Sequence, residues 1–158
     1  MLCVENVICL ENVGICLFSL LGGQAPLKVL FVCSGNVYRS PLAEALLRKI
    51  RPDWVVDSAG MRLVIPIAEE VKEFLREESA EKFLKTSPEP LSGKRLMDYD
   101  VIVAMEEVHK EYVLSLCPQC RNKVVVWNIP DPYLMEKEAM WKIFEQIKKK
   151  VMELANQQ

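Results

Sequence analysis

Hydrophobic residues along the chain alternate between two patterns. Lys28 to Cys33 (KVLFVC) is a short, unbroken apolar run rich in Val, Leu and Phe, as expected of a strand buried on both faces. From Pro41 the period becomes helical: Leu42, Ala43, Leu46, Leu47 and Ile50 share one face, and Glu44 and Arg48 pair at i,i+4 on the other. Pro41 suits a first helical turn. The alternation then repeats. Trp54 to Val56 predicts a second strand, and Ile67 to Glu78, opened by Pro66, an amphipathic helix with Ile67, Val71, Phe74 and Leu75 inward. Ser79 to Lys94, with Pro88, Pro90 and Gly93, reads as a polar stretch and turn. Asp100 to Met105 predicts a third strand, Glu106 to Leu116 a helix, and Lys123 to Trp127 a fourth strand. Met140, Ile143, Phe144, Ile147, Val151 and Leu154 form the apolar stripe of a closing helix, with Glu136 and Glu138 near its start and Lys148 to Lys150 in its second half, as its dipole favours. Non-alternating strands interleaved with helices predict an α/β fold, a single three-layer domain with a four-stranded parallel sheet and helices on both faces.

Only Ser34 to Ser40 separate the first strand from the first helix. Such a turn aims backbone N–H groups at one point, where an anion is stabilised, and ligands of parallel sheets bind at this end of the strands. Arg39 can fold back over that point and offer a fork of donors to two oxygens of a phosphate-like group. The same field lowers the pKa of a cysteine, and Cys33 stands at the loop entrance as a thiolate nucleophile. Gly35 and Asn36 are expected at positive φ in so tight a loop.

Cys33, five residues, then Arg39-Ser40 resembles the phosphate loop of cysteine-based phosphatases, and CSGNVYRSPLAE resembles the low-molecular-weight protein tyrosine phosphatases, whose loop reads C-x-G-N-x-C-R-S-P. Asp57-Ser58-Ala59-Gly60 after the second strand and Asp131-Pro132-Tyr133 near the C-terminus match in order, so the resemblance covers roughly Lys28 to Leu154. It implies a flavodoxin-like arrangement of the sheet and hydrolysis of phosphotyrosine or other aryl phosphomonoesters through a cysteinyl-phosphate. Ser34, Gly35, Asn36, Val37, Tyr38 and Ser40 would bind the phosphate with Arg39, Ser40 would donate to the sulfur as it departs, and Ser58 would support Asn36. A phenolate leaves poorly unless its oxygen is protonated, and Asp131, held between two prolines, is the expected acid. Tyr133 would stack on the substrate ring. No metal or cofactor is required, because the loop and Arg39 stabilise the charge.

The sequence departs from the family pattern in four places. Met61 to Val64 offers no aromatic residue for the cleft wall, Ser34 stands where a bulkier apolar residue is common, and Tyr38 replaces a second loop cysteine that in many relatives traps the oxidised nucleophile. Cys117-Pro118-Gln119-Cys120 is a further C-x-x-C, readable as a local disulfide, a chance pair, or half of an intermolecular metal site. The single histidine, His109, is expected on the surface of its helix.

Composition narrows the rest. The 158 residues carry 20 Lys plus Arg against 22 Asp plus Glu, a balance that favours neither nucleic acid nor an anionic membrane as partner. Six scattered cysteines and a site needing a free thiolate point to a reducing, cytoplasmic compartment. Residues 1–25 precede the pattern as an N-terminal extension of unassigned role, with residues 26–158 as the phosphatase domain. The extension lacks the basic start of a signal peptide, and Val13 to Leu21 is short of the roughly 20 apolar residues of a spanning helix. Two other readings compete with the phosphatase. A thioredoxin-linked arsenate reductase needs two more cysteines at the end of the third strand, where this chain has Ala104 and Met105. A non-hydrolytic phosphate reader needs neither Cys33 nor Asp131.

Overall fold

The computed structural model describes residues 25–157. Four parallel strands, β1 (Lys28–Cys33), β2 (Val55–Gly60), β3 (Val101–Ala104) and β4 (Val124–Val126), lie in the order β2-β1-β3-β4. Phe31 is in register with Ser58 on one side and Val103 on the other. The helices are α1 (Arg39–Ile50), α2 (Glu69–Glu77), α3 (Glu107–Leu116) and α4 (Lys137–Ala155). The expected three-layer α/β domain is therefore the observed one, and the order reverses between β1 and β3, which opens a crevice beyond the carboxyl ends of those strands.

The two faces of the sheet carry separate cores. Val29, Phe31, Cys33, Val56 and Val103 pack against α1, α2 and α4, while Leu30, Val32, Ala59 and Ile102 pack towards Val113, Cys117 and Cys120 at α3. Every residue of α1 from Arg39 to Leu47 is buried, because α4 lies across its outer side. Phe74 of α2 and Phe144 of α4 meet edge to face with centroids 5.4 Å apart, closing that layer.

Several boundaries differ from the sequence pattern for physical reasons. α1 begins at Arg39 rather than Pro41, so the connecting loop shortens to Ser34–Tyr38. β2 runs on through Asp57-Ser58-Ala59-Gly60, because these small residues remain paired with β1 and Gly60 also bridges to Pro90. α2 starts three residues past Pro66, at Glu69. β4 is an edge strand with Val125 exposed, not a strand buried on both faces. The polar stretch from Ser79 folds into short 3-10 turns and buries Ala80 and Leu91. Cys117 and Cys120 are joined as a local disulfide under α3. Among the described residues no helix is long and apolar enough to cross a membrane. The extension at residues 1–25 lies outside the described residues, apart from Ala25.

Candidate active site

Where β1 ends, Cys33 meets the start of α1. Its Sγ lies 2.9 Å from Ser40 Oγ and accepts the Asn36 backbone N–H at 3.3 Å. The loop runs directly into the first turn of α1, and a helix start favours an anion at this end. Asn36 adopts φ 56 as expected, whereas Gly35 does not need positive φ. Glycine matters instead at Gly60: a Cβ there would lie 2.7 Å from Gly35 C and 2.8 Å from Asn36 N, because the end of β2 presses directly on the loop.

Behind the loop runs a directed hydrogen-bond chain. Asn36 Oδ1 accepts the Glu89 backbone N–H at 2.9 Å, an unambiguous donor, so Nδ2 must face the serines and donates to Ser40 Oγ and Ser58 Oγ, both at 2.8 Å. With Ser40 accepting from Asn36, its own proton is free to go to Cys33. Ser58 in turn donates to Glu44 Oε2. Glu44, read from its helical position as solvent-facing, is buried beneath Ser58. Burial pushes its carboxyl up, and Lys85, the Ser58 hydroxyl and Arg48 pull it back only in part. Arg48 Nη2 approaches Oε1 at 2.7 Å but off the hydrogen-bonding direction, leaving that oxygen a charge partner without a hydrogen bond. Lys85, its side chain largely covered, donates to the Ser58 carbonyl at 2.8 Å and pairs with Glu89, while Lys94 bridges Asp57 at 2.6 Å and Glu89 at 2.9 Å.

Arg39 is 1% exposed and spans the crevice. Nη1 donates to the Ile129 carbonyl at 2.8 Å and to Glu106 Oε2 at 2.5 Å, while Nη2 lies 3.4 Å from Ser34 Oγ and 3.3 Å from Asp131 Oδ2. Asp131 reaches this point because pairing past β4, with Trp127 N–H on the Ala104 carbonyl and Ile129 N–H on that of Met105, carries the chain over the start of α3. Its other oxygen accepts the Tyr133 N–H at 3.1 Å, so the turn chemistry of Asp-Pro and the contact with Arg39 coexist.

A cleft of about 600 Å³ opens here, lined by Cys33, Ser34, Gly35, Val37, Tyr38, Arg39, Asp131 and Tyr133 from the sequence reading; Asn36, Ser40 and Ser58 stand behind it. Tyr133 sits at the rim, more than half exposed. Tyr112 of α3 supplies an aromatic group to the wall that Met61 to Val64 lacks, with Val64, Ile65 and Val108 as further apolar lining. Burial first, then the charges of Glu70 and Asp131, raise the Tyr38 phenol.

His109 is the largest correction. It is fully buried rather than solvated: its Nδ1 accepts the Glu106 N–H at 3.0 Å in a capping box, and its Nε2 lies 2.9 Å from Ser34 Oγ. Burial, then the Arg39 charge, lower it to about 4 against the opposing pull of Glu106 and Asp131. Glu106 and His109 have the spacing of a capping box without its usual Ser/Thr and Glu/Gln residues, so residue type hides the pair in the sequence.

The family model described as low molecular weight phosphotyrosine protein phosphatase matches residues 28–158. The low molecular weight protein-tyrosine-phosphatase Wzb of Salmonella typhi is 33% identical over 129 residues, covering 74% of this chain and 84% of that protein. Etp of Escherichia coli K12, of the same description, is 30% identical over 136 residues, covering 81% of this chain and 92% of that protein. Among solved structures, Vibrio vulnificus Wzb in complex with benzylphosphonate superposes with a TM-score of 0.76 at 28% identity, covering 84% of this chain and 99% of that one. Wzb from Escherichia coli K30 in complex with sulphate gives 0.72 at 26%, covering 81% and 95%.

Proposed function

Because the chain belongs to the low molecular weight phosphotyrosine protein phosphatase family and is thereby a phosphoric monoester hydrolase, we propose that it hydrolyses aryl phosphate esters, phosphotyrosine in proteins foremost, by two displacements at Cys33. The observation that carries this reading is the Arg39 guanidinium, which joins the Cys33 loop to Asp131 within one cleft. In the first displacement the thiolate attacks phosphorus in line, Arg39 and the loop amides hold the equatorial oxygens, and Asp131 protonates the departing phenolate. In the second, Asp131 takes a proton from the water that cleaves the cysteinyl-phosphate, and the Ser40 hydroxyl stabilises the sulfur that leaves.

Tyr38, Tyr112 and Tyr133 around the phosphate cup support an aromatic substrate, and the benzylphosphonate held by the Vibrio vulnificus relative has that shape. An arsenate-reductase route finds no support: Ala104 and Met105 end β3, and the Cys117–Cys120 disulfide belongs to the core on the opposite face from Cys33. The need for a reduced nucleophile supports a cytoplasmic location, and the chemistry requires nothing from residues 1–25.

Turnover of para-nitrophenyl phosphate by the wild-type chain, Cys33→Ser and Asp131→Asn tests the assignment. Cys33→Ser is expected to fall to background. Asp131→Asn is expected to lose on the order of 10²- to 10⁴-fold in kcat. Retained activity in Cys33→Ser would remove the proposed nucleophile, and a chain starting at Pro26 with less than half the wild-type kcat/KM would assign the extension to the catalytic unit.

A further inference from the structure

The proposed chemistry makes no use of His109, yet this buried imidazole is aimed at the cleft. Its Nδ1 accepts the Glu106 N–H, so the ring proton sits on Nε2, and Nε2 must donate to Ser34 Oγ at 2.9 Å. Burial and the neighbouring Arg39 keep the ring neutral, which preserves this tautomer at ordinary pH. Arg39 Nη2 approaches the same hydroxyl oxygen at 3.4 Å. A serine hydroxyl has two lone pairs and one proton. Both lone pairs of Ser34 are directed to donors inside the protein, which leaves its proton to point outward, and Ser34 is exposed in the cleft. Donors on an oxygen also strengthen the hydrogen bond that oxygen gives. Asp131 Oδ2 lies 3.3 Å from the same Arg39 nitrogen, so hydroxyl and carboxylate flank one atom at the cleft mouth.

We propose that Ser34 is a further catalytic residue whose hydroxyl hydrogen-bonds the ester oxygen that Asp131 protonates, and that His109 is the positioning residue that turns it there. The inference rests on the two-displacement reading. As the bond from Cys33 sulfur to phosphorus forms, the phosphorus–oxygen ester bond breaks and its electron pair leaves on the ester oxygen, which takes the proton of Asp131. Ser34 keeps its own proton and contributes a hydrogen bond alone. In the second displacement the water oxygen enters at the same apical position and bonds to phosphorus. The sulfur–phosphorus bond breaks with its pair returning to Cys33, and the water proton passes to Asp131.

A donor at the leaving oxygen matters more as that oxygen becomes more basic. The full chain and its Ser34→Ala, Ser34→Thr and His109→Asn variants, with the Ser34→Ala/His109→Asn double variant, would be compared on phenyl phosphate and para-nitrophenyl phosphate. Asparagine at 109 retains an acceptor for the Glu106 N–H but is too short to reach Ser34. Ser34→Ala is expected to lower kcat/KM about tenfold on phenyl phosphate and about threefold or less on the nitrophenyl ester. Ser34→Thr is expected to restore the phenyl phosphate rate, His109→Asn to reproduce the alanine pattern, and the double variant to be no worse than either alone. Equal losses on the two esters, additive losses in the double variant, or wild-type rates in Ser34→Ala would each overturn the proposal. Ser34→Ala, at an exposed position, keeps the test decisive should His109→Asn not fold. A wild-type chain inert towards both esters would instead refute the phosphatase mechanism on which the proposal is built.

Discussion

Replacing Asn36 by alanine tests whether the phosphate loop is held from behind, as the hydrogen-bond chain indicates. The substitution removes one acceptor and two donors, the bonds to Glu89 N–H at 2.9 Å and to Ser40 and Ser58 at 2.8 Å each. All three are buried or partly buried, so each is worth about 1 kcal/mol, and the stranded Glu89 amide puts the sum at the upper end of that range, while Ser40 and Ser58 keep Cys33 and Glu44 as partners. Asn36 also sits at φ 56, where a Cβ without a local hydrogen bond costs about 1 kcal/mol more. Together these give a loss of about 4 kcal/mol. In a domain of this size that lowers Tm by roughly 8–16 °C. Urea unfolding is the assay, with a shifted midpoint and an unchanged slope. Asn36→Gly, which relieves the dihedral cost alone, is expected to recover no more than about 1 kcal/mol. In both variants Ser40 loses the donor that turns its proton towards Cys33, so kcat falls by on the order of tenfold to a hundredfold. A loss below about 1 kcal/mol at constant slope would show that the loop holds its shape without this chain of bonds.

Three further outcomes follow from the same structure. In the unfolded chain His109 titrates near 6.5 and in the fold at about 4, so between these values the unfolded chain holds a proton that the native one lacks. Stability therefore rises with pH through this window, is complete above about 6.5 and is lost towards pH 4, a swing of up to about 3 kcal/mol; urea midpoints across pH would show the slope, and His109→Asn should flatten it. In a chain starting at Pro26 the only cysteines are Cys33 and the buried Cys117–Cys120 pair on the other face, and Tyr38 occupies the second-cysteine position. Graded peroxide is then expected to drive Cys33 past the sulfenic acid, with activity that dithiothreitol no longer restores; full recovery at high peroxide would contradict this. Phe144→Ala opens the core between α1, α2 and α4 and is expected to cost about 3–5 kcal/mol in urea unfolding.

Much of the fold was legible because the strands β1 and β3 are buried on both faces and therefore spelled in uninterrupted apolar residues. The loop was legible because Gly35, Asn36, Arg39 and Ser40 have few roles together other than holding an anion. Glu44, Lys85 and His109 were not, for one shared reason. Pattern and composition assign charged and polar residues to the solvent side, and each of these side chains turns inward because partners distant in sequence satisfy it: Ser58 for Glu44, the Ser58 carbonyl for Lys85, Ser34 for His109. Asp57-Ser58-Ala59-Gly60, placed after the second strand on its small and polar residues, continues β2 because both β1 and the Glu89–Pro90 segment supply hydrogen bonds to it.

The two ends of the Arg39 fork are held unequally, and this bears on how substrate binding and acid catalysis are linked. Nη1 has a carboxylate at 2.5 Å and a carbonyl at 2.8 Å, the latter buried and fixed by backbone pairing past β4. Among the described residues Nη2 has only Ser34 at 3.4 Å and the half-exposed Asp131 at 3.3 Å, and an ion pair of that length and exposure is worth about 1 kcal/mol or less. On the proposed mechanism a phosphate oxygen entering the cup would make a shorter, charge-assisted bond to the same nitrogen. It therefore displaces Asp131 at little cost while Glu106 and Ile129 keep the guanidinium in place. On the proposed mechanism the displaced carboxyl is left beside the ester oxygen it must protonate, so that occupancy of the anion site and release of the acid are a single event. Glu106→Gln would weaken the end that has to stay fixed, and its expected signature is a raised KM together with a lowered kcat, since the anion and Asp131 would then compete for a guanidinium free to follow either.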